Sequence, residues 1–352
     1  MTATVFKDQM TPKERFNAVM EGKPYDRIPV NLNVGPHAAK VLGINTSEFG
    51  QSADRQVEGF IAAYKKYGVE ALGPFLNIME AIGVKYVYPE NSTPYVAEPL
   101  VKEAADFNKL RLPDPRTAKE FQIFWEVLER LIARIGHEVP VEVGIVGPIT
   151  AASGIRGIEP FLKDLYQNPE LAHKLLQFVS DATISVIREA GKYGVRFVIY
   201  DPTASGSLIH QKMYRQFALP YERQLIEAMK QAGNAYPTLH ICGKTTNIWS
   251  DMADTGAPIL SLDNIVDLEA AKHEVGHRVV LMGNVKPTAT MLQGTPADVD
   301  ADVKECLAKA GDSPKGYLMA LGCGLPLNTP PENIIALVEA NRKYGQRAVL
   351  QG

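Results

Sequence analysis

Residues 238–243 read TLHICG, which sets His240 and Cys242 two apart at the end of a short apolar run. Successive side chains of an extended strand alternate between its faces, so an imidazole and a thiol at this spacing point the same way. Such a pair can chelate a soft or borderline metal. A third soft donor stands far away in the sequence: Cys323, in the turn Gly322-Cys323-Gly324 after another apolar run. If both runs end at one place in the fold, the result is a His/Cys/Cys set with one coordination position open. That is the pattern of catalytic rather than structural zinc. Taken singly, His-x-Cys reads as a core histidine beside a packed cysteine, and the flanking glycines as ordinary turn residues. The meeting of the three at strand ends is what gives them a chemical reading.

The remaining cysteine, Cys306, lies mid-helix in VDADVKECLAKAG and reads as packing. Three cysteines in 352 residues make no disulfide framework, and they fit a reducing cytoplasm. His37 reads as a solvated loop residue, and His210 sits just before a helix start, where it can line a pocket. The chain is 45% hydrophobic and 22% charged with a net charge of −3, a globular composition without the basic excess that nucleic acid or an anionic membrane calls for. The N-terminus lacks the apolar core of a signal peptide, and no run of about 18 apolar residues suggests a membrane span.

Positioning such a site requires a series of strands that end together. Short, largely apolar runs recur at residues 139–146, 196–200, 238–241, 259–262, 279–282 and 317–321, with an earlier one at 28–33 and a weaker one within 69–76. Their composition suits strands buried on both faces. Helical segments are expected between them, at roughly 159–167, 169–192, 213–232, 247–254, 268–274, 296–310 and 331–344. A helix at 12–21 precedes them, with Thr11 as N-cap, Pro12 at the first position and Glu14 closing a capping box. Residues 86–96 read as a small hairpin on a long loop. Alternating strands and helices imply a parallel sheet. About eight strands favour a closed (β/α)8 TIM barrel, an α/β fold in one domain over residues 1–352 with an N-terminal helical extension; an open doubly wound sheet is the alternative. In such barrels the chemistry sits after each strand. The segments there are GPITAAS, DPTASGS, CGKTT, DNIVD, GNVKP and GCGLP.

Several of these pieces occur in a recognisable order: TPKERFNAVMEGKPYDRIPV, GPITAAS, DPTASGSLI, HICG, LSLDNIVDLEAAK, LMGNV and GCGLPLNTPPENI. Across almost its whole length the chain resembles the uroporphyrinogen decarboxylase superfamily, and within it the methylcobamide:coenzyme M methyltransferase branch. Decarboxylases of this superfamily carry an Arg-Gln-Ala-Gly-Arg stretch near the first strand for the substrate's carboxylates. Here that place reads NLNVGPHAAK, with no arginine between Arg27 and Arg55.

The resemblance implies Zn2+ held by His240, Cys242 and Cys323, with a methylcobamide, a corrinoid, as methyl donor. Coordination to zinc would deprotonate a thiol that is otherwise mostly protonated at neutral pH. Asp263 and Asp201 are candidates for a fourth ligand or for a partner that orients His240. Asp201, Ser205, Thr245, Thr246 and Asn284 are candidates for contact with bound small molecules, or else turn formers. Arg156, in the loop after GPITAAS, can pair with an anionic thiol or stand in solvent. No Asp-x-His-x-x-Gly stretch is present, so the resemblance implies a separate corrinoid protein as partner and a small thiol as acceptor. Exposed barrel helices would allow a homodimer. Porphyrinogen decarboxylation, methyl transfer to a non-thiol acceptor and a non-catalytic carrier role are the competing readings.

Overall fold

The computed structural model describes residues 8–90, 92 and 94–347. Its strands, in chain order, are β1 (Phe75–Leu76), β2 (Tyr86–Val87), β3 (Tyr95–Val96), β4 (Glu142–Val146), β5 (Arg196–Tyr200), β6 (Thr238–Ile241), β7 (Ile259–Leu262), β8 (Val280–Val285) and β9 (Tyr317–Leu321). Seven form one sheet in the order β1-β4-β5-β6-β7-β8-β9, and every neighbouring pair in it is parallel. The strands β2 and β3 pair antiparallel on their own, as the small hairpin expected there.

The circle closes through residues 28–33. Met319 N donates to Pro29 O (2.9 Å) and Asn31 N to Met319 O (2.8 Å), joining this segment to β9. On its other side Glu70 N donates to Val30 O (3.2 Å), and Glu142 N to Leu72 O (2.9 Å) carries the pairing on to β4. The expected first strand is therefore present in path but not as a ladder. Pro29 has no N–H, and the Val30 N–H goes to the Glu70 carboxylate (3.0 Å) instead of to a neighbouring backbone. Glu70 is itself held by the buried guanidinium groups of Arg15 and Arg27. The second expected strand is cut to two residues by Gly73 and Pro74.

The helix Pro12–Met20 has the expected capping box: Glu14 N donates to Thr11 Oγ1, and Thr11 N to the Glu14 carboxylate. It closes the N-terminal end of the barrel. Phe16 and Val19 pack with the inward-facing Ile259, Val280, Met282, Leu318 and Ala320. A larger core lies between the barrel and the outer helices. Most of those helices begin within a residue or two of their expected starts, such as Pro169–Gly191, Pro296–Ala310 and Pro331–Tyr344. The helix expected from 213 begins at Gln211, widens to a π-helical stretch over Tyr214–Ala218 and continues as α-helix over Leu219–Gln231. Residues 148–156 differ from expectation: GPITAAS opens a helix, Pro148–Arg156, directly after β4. Among the described residues, no helix is long and apolar enough to cross a membrane.

Candidate metal centre

His240, Cys242 and Cys323 come together at the C-terminal mouth of the barrel, with one donor atom from each lying within 4.8 Å of the others. His240 Nε2 is 3.1 Å from Cys242 Sγ, and the two sulfurs are 3.2 Å apart. Ligands of a tetrahedral zinc with bonds of about 2.0–2.3 Å stand only slightly farther apart than this, so the set closes on an ion with a small outward adjustment. All three donors are of the soft or borderline kind that zinc takes. His240 is buried, Cys242 half-buried and Cys323 exposed, which leaves one side of the cluster open to the cleft.

The parallel register explains why the imidazole is fixed. His240 on β6 lies level with Tyr200 on β5 and Ser261 on β7. Ser261 Oγ is 2.9 Å from His240 Nδ1, so the other ring nitrogen, Nε2, faces the sulfurs. A hydrogen-bond acceptor on the far nitrogen sets the tautomer and orientation of a metal-binding histidine, and here the Ser261 hydroxyl takes that place. The Tyr200 ring meets the imidazole edge-on with centroids 5.6 Å apart, and Phe75 covers Tyr200 at 6.1 Å. The two thiols share their protons unequally. Hydrogen bonds from Cys242 and then from His240 pull the Cys323 thiol well below its ordinary range, against the opposing effect of burial. The neighbouring Cys323 and then burial push Cys242 up. The pair gives up its first proton readily and holds its second.

Asp263 is not one of the three clustered donors. Its carboxylate accepts from Gly243 N (2.7 Å) and Ile265 N (3.0 Å), so it fixes the turn that carries Cys242. Gly243 needs its lack of a side chain: its φ is +80°, and a Cβ there would fall 2.5 Å from Ser205 Oγ. Ser205, buried, supports that turn rather than facing the cleft, and accepts from Ser207 N (3.2 Å). Asn284 braces the opposite side, with its Nδ2 donating to Asp263 O (3.0 Å) and Val266 O (2.9 Å).

Asp201 departs from its expected place at a bound ligand. It has no exposed surface, and its carboxylate accepts from Ile149 N, Thr150 N and Thr150 Oγ1 at the start of the helix Pro148–Arg156. Burial pushes its carboxyl up to about 6, against those hydrogen bonds. Arg156 is likewise committed: it ends that helix, pairs with Asp164 at 2.7 Å and donates to the carbonyls of Val101 and Lys102. It is neither solvated nor free for an anion. Thr245 is buried and accepts from Trp249 Nε1, and Thr246 is exposed. His37, expected in solvent, is buried between Leu327 O and the Tyr67 hydroxyl. His210 is exposed, and Cys306 is packed in the core.

Below the mouth runs a cleft lined by Asn31, Asn33, Glu142, Tyr200, His240 and Cys323, with apolar walls that include Leu32, Met282 and Leu325. Sequence reasoning did not single out Ser261, Tyr200 or Glu142. The signal for the first two was their rank with His240 across parallel strands. For Glu142 it was a charged residue standing inside an otherwise apolar strand.

Comparison with known proteins agrees with this fold. A family model described as "Uroporphyrinogen decarboxylase (URO-D)" matches residues 11–344. The methylcobamide:CoM methyltransferase MtbA of Methanosarcina mazei is 30% identical over 345 residues, covering 96% of this chain and 99% of that one. A uroporphyrinogen decarboxylase of Nitrosospira multiformis is 29% identical over 282 residues, 77% of this chain and 75% of that one. Among solved structures, a methyltransferase from Methanosarcina mazei superposes with a TM-score of 0.84 at 27% identity, covering 96% of this chain and 99% of that one.

Proposed function

The chain belongs to the uroporphyrinogen decarboxylase family, and within it we propose a zinc-dependent methyltransferase that moves a methyl group from a methylated corrinoid to a small thiol. The observation that carries this reading is the His240, Cys242 and Cys323 cluster at the barrel mouth, with one side open to a cleft. Near-full-length relatives are named methylcobamide:CoM methyltransferases, which supports a corrinoid donor and a thiol acceptor. The whole chain acts as one domain, in the cytoplasm, with a separate corrinoid protein bringing the donor to the mouth.

His240, Cys242 and Cys323 are the residues that hold the metal. Zinc bound there would lower the pKa of an incoming thiol and so make it a nucleophile at neutral pH. Ser261 keeps His240 Nε2 turned to the cluster. Asp263, Ser205 and Asn284 hold the Cys242 turn still, which limits the positions from which the acceptor sulfur can approach. Tyr200 and Phe75 shield the imidazole side from water. In the transfer itself, a sulfur–carbon bond forms and the cobalt–carbon bond breaks. The bonding pair stays on cobalt, which becomes Co(I), and the thiol proton leaves to solvent.

Decarboxylation of a porphyrinogen finds less support. Among the described residues no arginine or lysine lines the cleft, and Arg15 and Arg27 are fully buried in ion pairs with Asp8, Asp26 and Glu70. The test is to incubate the zinc-loaded protein with methylcobalamin and a panel of small thiols, following loss of the methylcobalamin absorbance and the S-methyl product by mass spectrometry. Thiol-dependent turnover beyond one equivalent is expected. Methylation of no thiol, together with decarboxylation of uroporphyrinogen, would overturn the reading.

A further inference from the structure

The three donors of the cluster are not held equally. His240 stands on β6, and Cys242 on the turn that the Asp263 carboxylate fixes. Cys323 stands at the start of an irregular connection, residues 322–330, between β9 and the helix Pro331–Tyr344, and it is exposed. Gly322 N still continues the sheet, donating to Val285 O at 2.9 Å. Beyond it, and apart from the contacts of the Cys323 sulfur, one hydrogen bond among the described residues ties 323–329 to another part of the barrel. It runs from His37 Nδ1 to Leu327 O at 3.0 Å. The bonds of Thr329 N and Thr329 Oγ1 to Pro326 O stay inside the connection. Leu325 packs on the core, a hold without direction.

His37 is built as a fixed donor. It ends the short turn Gly35–His37 after the first barrel segment and is 2% exposed. A carbonyl oxygen only accepts, so Nδ1 carries the proton. Nε2 is then left to accept from the Tyr67 hydroxyl at 3.1 Å. Tyr67, the last residue of the helix Ala53–Tyr67, is buried as well. Both ring nitrogens are thus used by the neutral imidazole, and burial favours that form. Neither His37 nor Tyr67 lines the cleft. What the pair holds at the site is the backbone just past Cys323.

We propose that His37 is the positioning residue for Cys323: backed by Tyr67, it latches the connection 322–330 so that the third donor stays beside His240 and Cys242. This rests on the metal-centre reading and adds the residue that completes the set. A multidentate site binds tightly when its donors are already in place, because little freedom is lost on binding. The end of β6 and its braced turn supply two donors in that state. The third is in place only while the connection keeps its path, and the His37 bond is what directs that path.

Two readouts test the latch, one with the ion and one without it. The first is competition for zinc against a chromophoric chelator. The second is titration of the metal-free protein with phenylarsine oxide, which binds where two thiols reach one arsenic and so reports how close Cys242 and Cys323 stay. His37→Leu removes the donor at similar volume, and His37→Asn keeps an N–H at the place of Nδ1. His37→Leu is expected to bind both probes about 10–100-fold more weakly than wild type, and His37→Asn to stay within about threefold. Arg156→Ala, whose side chain is tied to Asp164, is the control for a general loss of stability, followed by thermal unfolding, and is expected to keep both affinities. Unchanged affinities in a folded His37→Leu, a loss no larger than that in Arg156→Ala, or no recovery in His37→Asn overturns the proposal. If His37→Leu does not fold, Tyr67→Phe decides on the same readouts: it is expected to weaken both by at least about threefold, and no change overturns the latch. A wild type that takes up no zinc overturns the metal-centre reading, and the arsenical titration then decides the latch by itself.

Discussion

Replacing Ser261 by alanine tests how the metal centre is held. The substitution removes the 2.9 Å contact to His240 Nδ1 and touches none of the three donors. Ser261 is 3% exposed, so water has little room to take the place of the hydroxyl. Loss of an outer partner of a metal-bound histidine costs about 10–100-fold in affinity, equivalent to about 1.4–2.7 kcal/mol. A second route gives the same size: a buried ring N–H left without an acceptor costs about 1–3 kcal/mol. Ser261→Ala is therefore expected to bind zinc 10–100-fold more weakly while keeping its fold. Ser261→Thr, which restores the hydroxyl, should stay within about threefold of wild type. The assay is competition for zinc against a chromophoric chelator of known affinity, with thermal unfolding of the metal-free proteins as the control. Unchanged affinity in Ser261→Ala would refute the assignment of Nε2 as the metal-binding nitrogen and of Ser261 as its orienting partner.

Further outcomes follow from the neighbours of the site. Because burial holds the Asp201 carboxyl at about 6 against an ordinary 3.8, the folded state favours its protonated form. Its contribution is fully present below about pH 4 and is lost as pH rises through about 6, worth about 3 kcal/mol in all. Urea unfolding from about pH 4 to 8 should show that decline and Asp201→Asn should flatten it; an identical slope in the variant would count against the assignment. Arg156→Ala should lower stability by about 1–3 kcal/mol, read by thermal unfolding, with KM for the thiol unchanged, since Arg156 is tied to Asp164 and two carbonyls. Cys306→Ala should keep the wild-type zinc content by elemental analysis, because Cys306 packs mid-helix in the core away from the cluster.

The later half of the barrel was legible because its strands are apolar on both faces and are punctuated by Gly, Pro and Asp. β5, β6, β7 and β9 span the expected residues, β4 and β8 nearly so. The earlier half was less legible, because there side chains replace ladder hydrogen bonds. Val30 is satisfied by the Glu70 carboxylate, and Gly73 and Pro74 leave β1 only two residues. That His240, Cys242 and Cys323 would meet was an expectation from residue type and place, and the structure brings them together; their reading as zinc ligands came from donor type and the family resemblance. The roles of Asp201, Ser205, Asn284 and Arg156 were not legible. A carboxylate, hydroxyl, amide or guanidinium after a strand can serve a turn or a ligand equally well. Only the three-dimensional packing shows Asp201 capping Pro148–Arg156 and Asn284 bracing Asp263. Ser261 went unremarked because it gains meaning only from the register that sets β7 beside β6.

The central claim is that three residues, brought from the ends of two strands, hold one zinc. Its most direct test is the zinc content of the protein purified without chelators, beside Cys242→Ala and Cys323→Ala. The account predicts about one zinc per chain in the wild type, with loss of most of it in both variants while the barrel stays folded. A wild type free of zinc, or variants that keep the full complement, would contradict it.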